Sequence, residues 1–473
     1  LNTVDQMKLF MEPQSVALVG LTRETGFTSW NALEHLLRYG YEGKLYPINP
    51  AAEEILGVKC YPRVKDIPGE VDLAVILVPP ASSIGLVREC TEKGIRAIIV
   101  VGQGLADGDD EGSRLQREII RVANDGGARV LGPNTFGAGN AFRNFNSAFV
   151  PMDMHRIPIG VICQTGMFMS GLPDFPMVGK GIDLGNTGDI DFSDGLEYFE
   201  DDPEVKVILM YIEGINDGRR FLNVARRVAH KKPIIALKGG RSEGTAHVTR
   251  SHTGNLAGRD EVYAAAFKQC GVIQANGEEE FNDLSKAFIN LPLMRGRDVG
   301  IITITGGGGI LAADACYRHG LRLAELSPES IERMKAIAPE WQSFANPADI
   351  WPPSRIAGHP LGEVLHTAID SMLADSNIDG LLVIMPGTTP TDVEADPPDA
   401  HMSLIGTLVE AFKLTQRYDK PAVLWCYGTD TAATVSLIEK SGRILYYPTM
   451  DRAANVLARL NERYQFLNCR DDG

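Results

Sequence analysis

Residues 15–50 read SVALVGLTRETGFTSWNALEHLLRYGYEGKLYPINP. SVALVG (15–20) is a short apolar run without polar alternation, the pattern of a strand buried on both faces. A glycine-bearing turn then opens a helix, and KLYPINP (44–50) returns as a second strand. The period repeats in VDLAVILVPP (71–80), RAIIVVGQG (96–104) and ARVLGPN (128–134). Each run is short enough for a buried strand and each gap long enough for a helix, so the region predicts βαβ units on a parallel, Rossmann-like sheet.

A second series follows in IGVICQTG (159–166), VKVILMYIEGI (205–215) and KPIIALKGG (232–240), with amphipathic helices expected in SDGLEYFEDD and DGRRFLNVARRVAHKK. A third contains DVGIITITGGGG (298–309), DGLLVIMPG (379–387), KPAVLWCYG (420–428) and GRILYYPT (442–449). The fold class is therefore α/β, in three successive units. Breaks near 140–155 and 293–298 give domains at 1–145, 146–293 and 294–473. NLPLMRGRDVG (290–300) is the expected linker, and PGTTPTDVEADPPDAH (386–401) an acidic, Pro-rich surface loop.

With 473 residues the chain is long enough for several cores. Its net charge of -15 argues against a broad nucleic-acid footprint, which needs clustered Lys and Arg, so any anionic ligand must be held locally. Seven scattered cysteines without CxxC spacing point to reduced thiols in a cytoplasmic protein, with neither a disulfide framework nor a metal site. No apolar run is long enough for a bilayer span.

The turn after the first strand, Gly20-Leu21-Thr22-Arg23, offers free N–H groups at a helix start, which suit a phosphate. It is not the GxGxxG fingerprint, and the second strand ends in Asn49 and Pro50 without the acidic residue that would hold a dinucleotide ribose. A nucleotide or coenzyme A phosphate site is the expectation, against a purely structural turn. The ends VPP (78–80), GQG (102–104) and GPN (132–134) should open on the same edge, where a long ligand could lie across them.

In the second unit, Gln164, Thr165 and Gly166 stand between a strand and an expected helix, a place to hold an anion. Glu213 ends the VILMYIEGI strand, and His252 lies in a loop rich in Gly, Ser and Thr near Lys238, Arg241 and Arg250. Imidazole can carry a phosphoryl group when a carboxylate fixes its other nitrogen, and Glu213 is the natural partner. Backbone N–H groups at Thr165-Gly166 and Thr253-Gly254 could stabilise the phosphorylated form. His247 has the same neighbours, and spacing alone does not choose between the two histidines.

Several segments together resemble the α chain of ADP-forming acetyl-CoA and acyl-CoA synthetases, relatives of succinyl-CoA synthetase. They are VALVGLTRE, PINP, LGPN, ICQTG, GDIDFSDGLEYFEDDPEVKVILMYIEGINDGRRF, GRSEGTAHVTRSHTGNLAG, TGGGGILAADA and FANPADI. The resemblance implies a CoA-binding domain followed by two flavodoxin-like ligase domains of the succinyl-CoA synthetase type. It implies that His252, in SHTG, is the phosphorylated histidine, supported by Glu213. Coenzyme A would then contact Gly20, Thr22, Arg23, Pro47, Asn49, Val78, Pro79 and Asn134, and the phosphoryl or acyl group Gln164, Thr165, Gly166, Thr253 and Gly254.

No ATP-grasp pattern is recognisable, so the resemblance implies a separate ATP-grasp β subunit bringing ATP/ADP and Mg2+, in a dimer of α chains or an α2β2 assembly. The carboxylic acid substrate is not specified by the residues. Where the family reads SQSG followed by small residues, Met167, Phe168 and Met169 follow here, which suggests either a reshaped acyl pocket or core packing. Gly306 to Gly309 are a weaker phosphate-site candidate, and Asn346 and Asp349 match by resemblance only. A non-catalytic CoA-binding scaffold and a nicotinamide-dependent dehydrogenase are the alternatives.

Overall fold

The computed structural model describes residues 1–26, 30–152, 154–170, 178–242, 259–387, 413–415, 417–428, 435 and 444–469. The chain divides into two compact units, Leu1–Phe281 and Asn282–Gly473.

The first unit holds two large sheets and a short antiparallel pair, Glu54–Ile55 with Val58–Lys59. In the first, strands β1 (Ser15–Val19), β2 (Lys44–Ile48), β3 (Leu73–Ile76), β4 (Ala97–Val100) and β5 (Arg129–Leu131) lie in the order β2-β1-β3-β4-β5, all parallel. β1, β3 and β4 are buried throughout, as their unbroken apolar runs require. Helices α2 (Ala32–Arg38), α3 (Pro80–Glu92) and α4 (Asp110–Asp125) make the crossovers, after an N-terminal helix α1 (Thr3–Met11).

The second sheet contains β6 (Ala138–Asn140), β7 (Phe145–Asn146), β8 (Ile159–Cys163), β9 (Lys180–Asp183), β10 (Val207–Ile212), β11 (Ile234–Lys238) and β12 (Val272–Ala275), in the order β12-β11-β10-β8-β9-β6-β7. Only the β9-β6-β7 end is antiparallel. Helices α5 (Phe192–Glu200), α6 (Gly218–Lys231) and α7 (Asp260–Cys270) accompany it, and the division between the units falls within α8 (Glu278–Asn290). α6 buries Phe221, Val224, Ala225, Val228 and Ala229, one face at helical spacing, while the side chain of Asp217 caps its N-terminus by accepting from Arg220 N. Burial of each large apolar side chain on that face contributes roughly 1.5–3 kcal/mol.

β9 has no counterpart among the strands expected from apolar runs, because its ends, Lys180 and Asp183, are charged and yet buried. Lys180 is neutralised by Asp202 at 2.6 Å and Glu204 at 2.7 Å. Asp183 accepts backbone N–H groups from Phe136 and Gly185. Paired charges enter a core that an apolar pattern cannot announce.

In the second unit, β13 (Asp298–Thr303), β14 (Arg322–Leu323), β15 (Ala348–Asp349), β16 (Gly380–Pro386), β17 (Ala422–Tyr427) and β18 (Leu445–Tyr446) form a parallel sheet ordered β14-β13-β16-β17-β18, with β15 also on β13. Its helices include α9 (Gly306–Arg318), α10 (Leu361–Ala374) and α11 (Met450–Asn468). Asp283 clasps Arg452 of α11 through two bonds of 2.6 and 2.7 Å. No described helix is long and apolar enough to cross a membrane.

Candidate functional site

After β1 the chain crosses to β2 on one side and later returns to β3 on the other. The crevice between the C-terminal ends of β1 and β3 is therefore the topological switch point, where open α/β sheets take ligands. Gly20 sits there with φ +82°, and a Cβ at that position would stand 2.2 Å from Val78 Cγ1. Only glycine lets the two turns approach this closely.

Around this crevice, Thr22 Oγ1 accepts from Glu24 N at 3.1 Å, and Asn49 bridges two turns by donating to Leu21 O at 2.9 Å and accepting from Ala51 N at 2.8 Å. Arg23 is exposed, with Nη1 3.5 Å from Ala51 O. Val78 is half-buried, and Pro79 is exposed at the N-cap of α3. Asn134, at φ +57°, donates from its backbone to Gly102 O at 3.1 Å and from its side chain to Asn186 Oδ1 at 3.2 Å. These residues share one edge. Pro47 does not face out: it is buried within β2 opposite Leu18, and its carbonyl accepts from Tyr61 N. It shapes the strand that carries Asn49.

At the matching edge of the second sheet, Gln164 is 1% exposed and its side chain makes three hydrogen bonds. Its Oε1 accepts from Glu213 N at 2.6 Å and Gly214 N at 3.0 Å, while Nε2 donates to Thr187 Oγ1 at 2.8 Å. Among the described residues these bonds give the side chain a bracing role and leave the second of its two amide N–H groups for the expected anion. The expected helix after it is a four-residue 3₁₀ turn, Gly166–Met169. Thr165 is half-buried, and its side chain caps nothing. Gly166 is buried against Phe136, whose Cδ2 would lie 2.2 Å from a Cβ there.

The bulky trio divides between core and surface. Phe168 and Met169 are buried, whereas Met167 is 52% exposed. Phe168 stacks on Tyr211 with centroids 4.6 Å apart, and Phe281 meets Phe168 edge-on at 5.8 Å. Tyr211 in turn shares a side-chain hydrogen bond with Glu213; burial and this carboxylate push the phenol pKa up.

Glu213 itself is 5% exposed. Lys238, at the end of neighbouring β11, donates to Glu213 O at 3.0 Å and also to Gly239 O. Burial lowers the Lys238 pKa, opposed by Asp260 and Glu213. Tyr263 accepts from Ile215 N at 3.1 Å. Two strands away, burial raises Asp183 to about 6, opposed by its backbone N–H donors and reinforced by Glu213.

His252, Thr253, Gly254 and the rival His247 lie outside the described residues. The residues flanking that segment are tied together: Arg241 Nε contacts both oxygens of Asp260 at 3.0 Å, and Gln274 adds a bond to Asp260 at 3.3 Å. Among the described residues no group of three or more His, Cys, Asp and Glu could hold a metal ion.

In the second unit the glycine run is split. Gly308 and Gly309 pack against Thr305 and Pro347, with a Cβ 2.9 and 3.0 Å from side-chain carbons. Gly306 and Gly307, opening α9, face open space apart from Asp349 Oδ2 at 3.9 Å from the first. Asn346 is structural: it accepts from Ile301 N and donates to Val299 O and Ala324 O. Asp349 accepts from Trp351 N at 3.0 Å.

Family models match three consecutive stretches: a CoA binding domain over 14–141, a succinyl-CoA ligase like flavodoxin domain over 157–288 and a Ligase-CoA domain over 299–467. The α subunit of acetate–CoA ligase [ADP-forming] II from Pyrococcus furiosus is 36% identical over 455 residues, 95% of each chain. The chain belongs to the ADP-forming acyl-CoA synthetase family.

A longer relative, the acetate–CoA ligase [ADP-forming] of Methanocaldococcus jannaschii, is 38% identical over 351 residues, 73% of this chain and 49% of that one. A solved structure described as the dinucleotide-forming acetyl-coenzyme A synthetase 1 of Ca. Korarchaeum cryptofilum, in complex with phosphate and ADP, superposes with a TM-score of 0.85 at 32% identity, covering 98% of both chains. Against this family background, coenzyme A binding falls to the first sheet. Tyr211, Lys238, Tyr263 and Asp183 are the residues around Glu213 that sequence reading did not assign. Tyr211 lies two positions before Glu213 on the same strand, the period at which side chains share a face, and that spacing was the available signal.

Proposed function

We propose that this chain is the CoA-binding, phosphohistidine-carrying subunit of an ADP-forming acyl-CoA synthetase, catalysing carboxylic acid + CoA + ATP ⇌ acyl-CoA + ADP + phosphate with an ATP-grasp partner. The observation that carries the reading is the constraint on Glu213: a buried carboxylate at a strand end, held through its backbone by Gln164 on one side and on the other by Lys238, at the end of the strand that precedes SHTG in the sequence.

An imidazole nitrogen of His252 attacks the γ-phosphorus of ATP. The P–N bond forms as the P–O bond to ADP breaks, and ADP leaves with the electron pair. Glu213 accepts the N–H of the other ring nitrogen and balances the imidazolium charge that develops. A carboxylate oxygen of the acid then attacks phosphorus, the P–N pair returns to the ring, and an acyl phosphate results. The sulfur of CoA attacks its carbonyl carbon, the C–O bond breaks, and phosphate departs with the thiol proton. Each step exchanges bonds of similar transfer potential, so positioning and charge stabilisation are what the protein supplies.

Gly20, Thr22, Arg23, Asn49, Val78, Pro79 and Asn134 would lie along coenzyme A, with Pro47 behind them. Thr165, Gly166, Thr253 and Gly254 would meet the phosphoryl or acyl group. ATP/ADP and Mg2+ would arrive with the partner, in an assembly such as α2β2. Named α-subunit relatives support a two-chain arrangement, and longer single-chain relatives support the same modules fused. Seven free thiols, six of them buried, support a reducing, cytoplasmic location.

The decisive experiment incubates the chain and its ATP-grasp partner with ATP and Mg2+. Acid-labile, base-stable phosphate on His252 is expected. His252→Ala should abolish acyl-CoA formation and leave the CoA dissociation constant nearly unchanged. No phosphate on the histidine in the presence of a proven partner would leave a non-catalytic CoA-binding protein.

A further inference from the structure

The second sheet contains two buried lysines with opposite circumstances. Lys180, at the N-terminal end of β9, is 1% exposed and is paired with Asp202 and Glu204 at 2.6 and 2.7 Å. Lys238, at the C-terminal end of β11, is 3% exposed and forms no ion pair within 4.0 Å among the described residues. Its Nζ instead donates to two backbone carbonyls, Glu213 O at 3.0 Å and Gly239 O, and stands 4.8 Å from the centre of the Tyr263 ring. With Tyr211 and Gly239 it lines a cleft of about 680 Å³.

An ammonium buried without a carboxylate partner is costly, several kcal/mol in typical proteins, and an apolar side chain of similar length would fill the position more cheaply. Lys238 is held by backbone carbonyls, whereas Lys180 is held by carboxylates. One of the bonds that Lys238 makes belongs to a turn held from three sides. Gln164 holds the N–H groups of Glu213 and Gly214, Tyr263 holds that of Ile215, and Lys238 holds the carbonyl of Glu213.

We propose that Lys238 is a positioning residue for phosphoryl transfer: it fixes the Glu213 turn through its carbonyl and brings a buried positive charge to that turn. The inference rests on the phosphohistidine reading of the site. The charge favours the arrival of an anionic phosphoryl group at this edge. Burial lowers the pKa of Lys238, and Glu213 and Asp260 oppose that shift, in keeping with an ammonium sustained by nearby carboxylates it does not touch.

Two substitutions in the complete complex with the ATP-grasp partner test this. Lys238→Met removes the donors and the charge, and Lys238→Gln keeps a donor amide for the carbonyls and removes only the charge. Single-turnover phosphorylation from ATP and Mg2+ should slow by about 10- to 100-fold in both. The CoA dissociation constant should stay at the wild-type value. Lys238→Arg should recover part of the lost rate. Wild-type phosphorylation rates in either neutral variant overturn the proposal, because charge would then play no part. If Lys238→Met unfolds, the rate of Lys238→Gln decides. A wild-type chain that takes up no phosphate removes the phosphohistidine reading and this inference with it; a phosphorylated wild type beside equally fast variants removes the inference alone.

Discussion

The side-chain oxygen of Gln164 accepts the backbone N–H groups of both Glu213 and Gly214, at 2.6 and 3.0 Å. One amide on β8 thereby fixes where a carboxylate leaves the end of β10. Replacing Gln164 by Met leaves two buried N–H groups without an acceptor, at about 1–3 kcal/mol each. The expected result is a lower unfolding midpoint in urea, together with a slower phosphorylation of the histidine loop. An unchanged midpoint would show that water or a rearranged turn replaces the amide.

Gly20 is expected to be intolerant for two reasons that act together. Its φ of +82° strains any other residue, and a Cβ would meet Val78 Cγ1 at 2.2 Å. Gly20→Ala should cost more than about 1 kcal/mol of stability, from the backbone alone, and should weaken CoA binding by opening the crevice between β1 and β3. Isothermal titration with CoA measures the second effect. Wild-type affinity in a folded Gly20→Ala chain would move the coenzyme away from this turn.

Arg241 and Asp260 join the two ends of the segment that carries SHTG, with both side chains partly exposed. A pair of this kind contributes little to global stability, about 1 kcal/mol or less. Asp260→Asn should therefore leave the urea midpoint nearly unchanged while reducing the yield of phosphohistidine, because the loop ends lose their clasp. A large fall in the midpoint with full phosphorylation would assign the pair to the fold instead.

The strands of the first sheet and their parallel arrangement were legible because most of them are continuous apolar runs between glycine-rich turns, the pattern of a parallel sheet buried on both faces. Glu213 was legible for a related reason: a carboxylate at the end of VILMYI is conspicuous. The residues that hold it were not. Lys238, Tyr263 and Gln164 reach the turn from other strands and helices, and their bonds to backbone groups leave no spacing in the sequence. The sequence offers Gln164 to an anion because it follows a strand; its bracing of the β10 strand end through Oε1 comes from a neighbouring strand and leaves no mark in the sequence. The glycine run at Gly306 combined two demands, close packing at Gly308 and Gly309 and open space at Gly306 and Gly307, that composition cannot separate.

Asp183 sets a pH dependence whose sign is fixed by its burial. Its folded pKa is raised from 3.8 to about 6, so the folded state keeps a proton that the unfolded state has already lost. Below about pH 4 both states are protonated and the group is neutral to stability. Between about pH 4 and 6 stability falls as pH rises, and above that the penalty stays constant, on the order of 3 kcal/mol. Asp183→Asn removes the titration, so the wild type minus variant difference should decline across that window and then level off. Urea unfolding of the first unit can be followed through Trp30, once Trp341, Trp351 and Trp425 in the second unit are replaced by Phe. A difference independent of pH from 4 to 7 would mean that the two backbone N–H donors, from Phe136 and Gly185, compensate the buried charge in full.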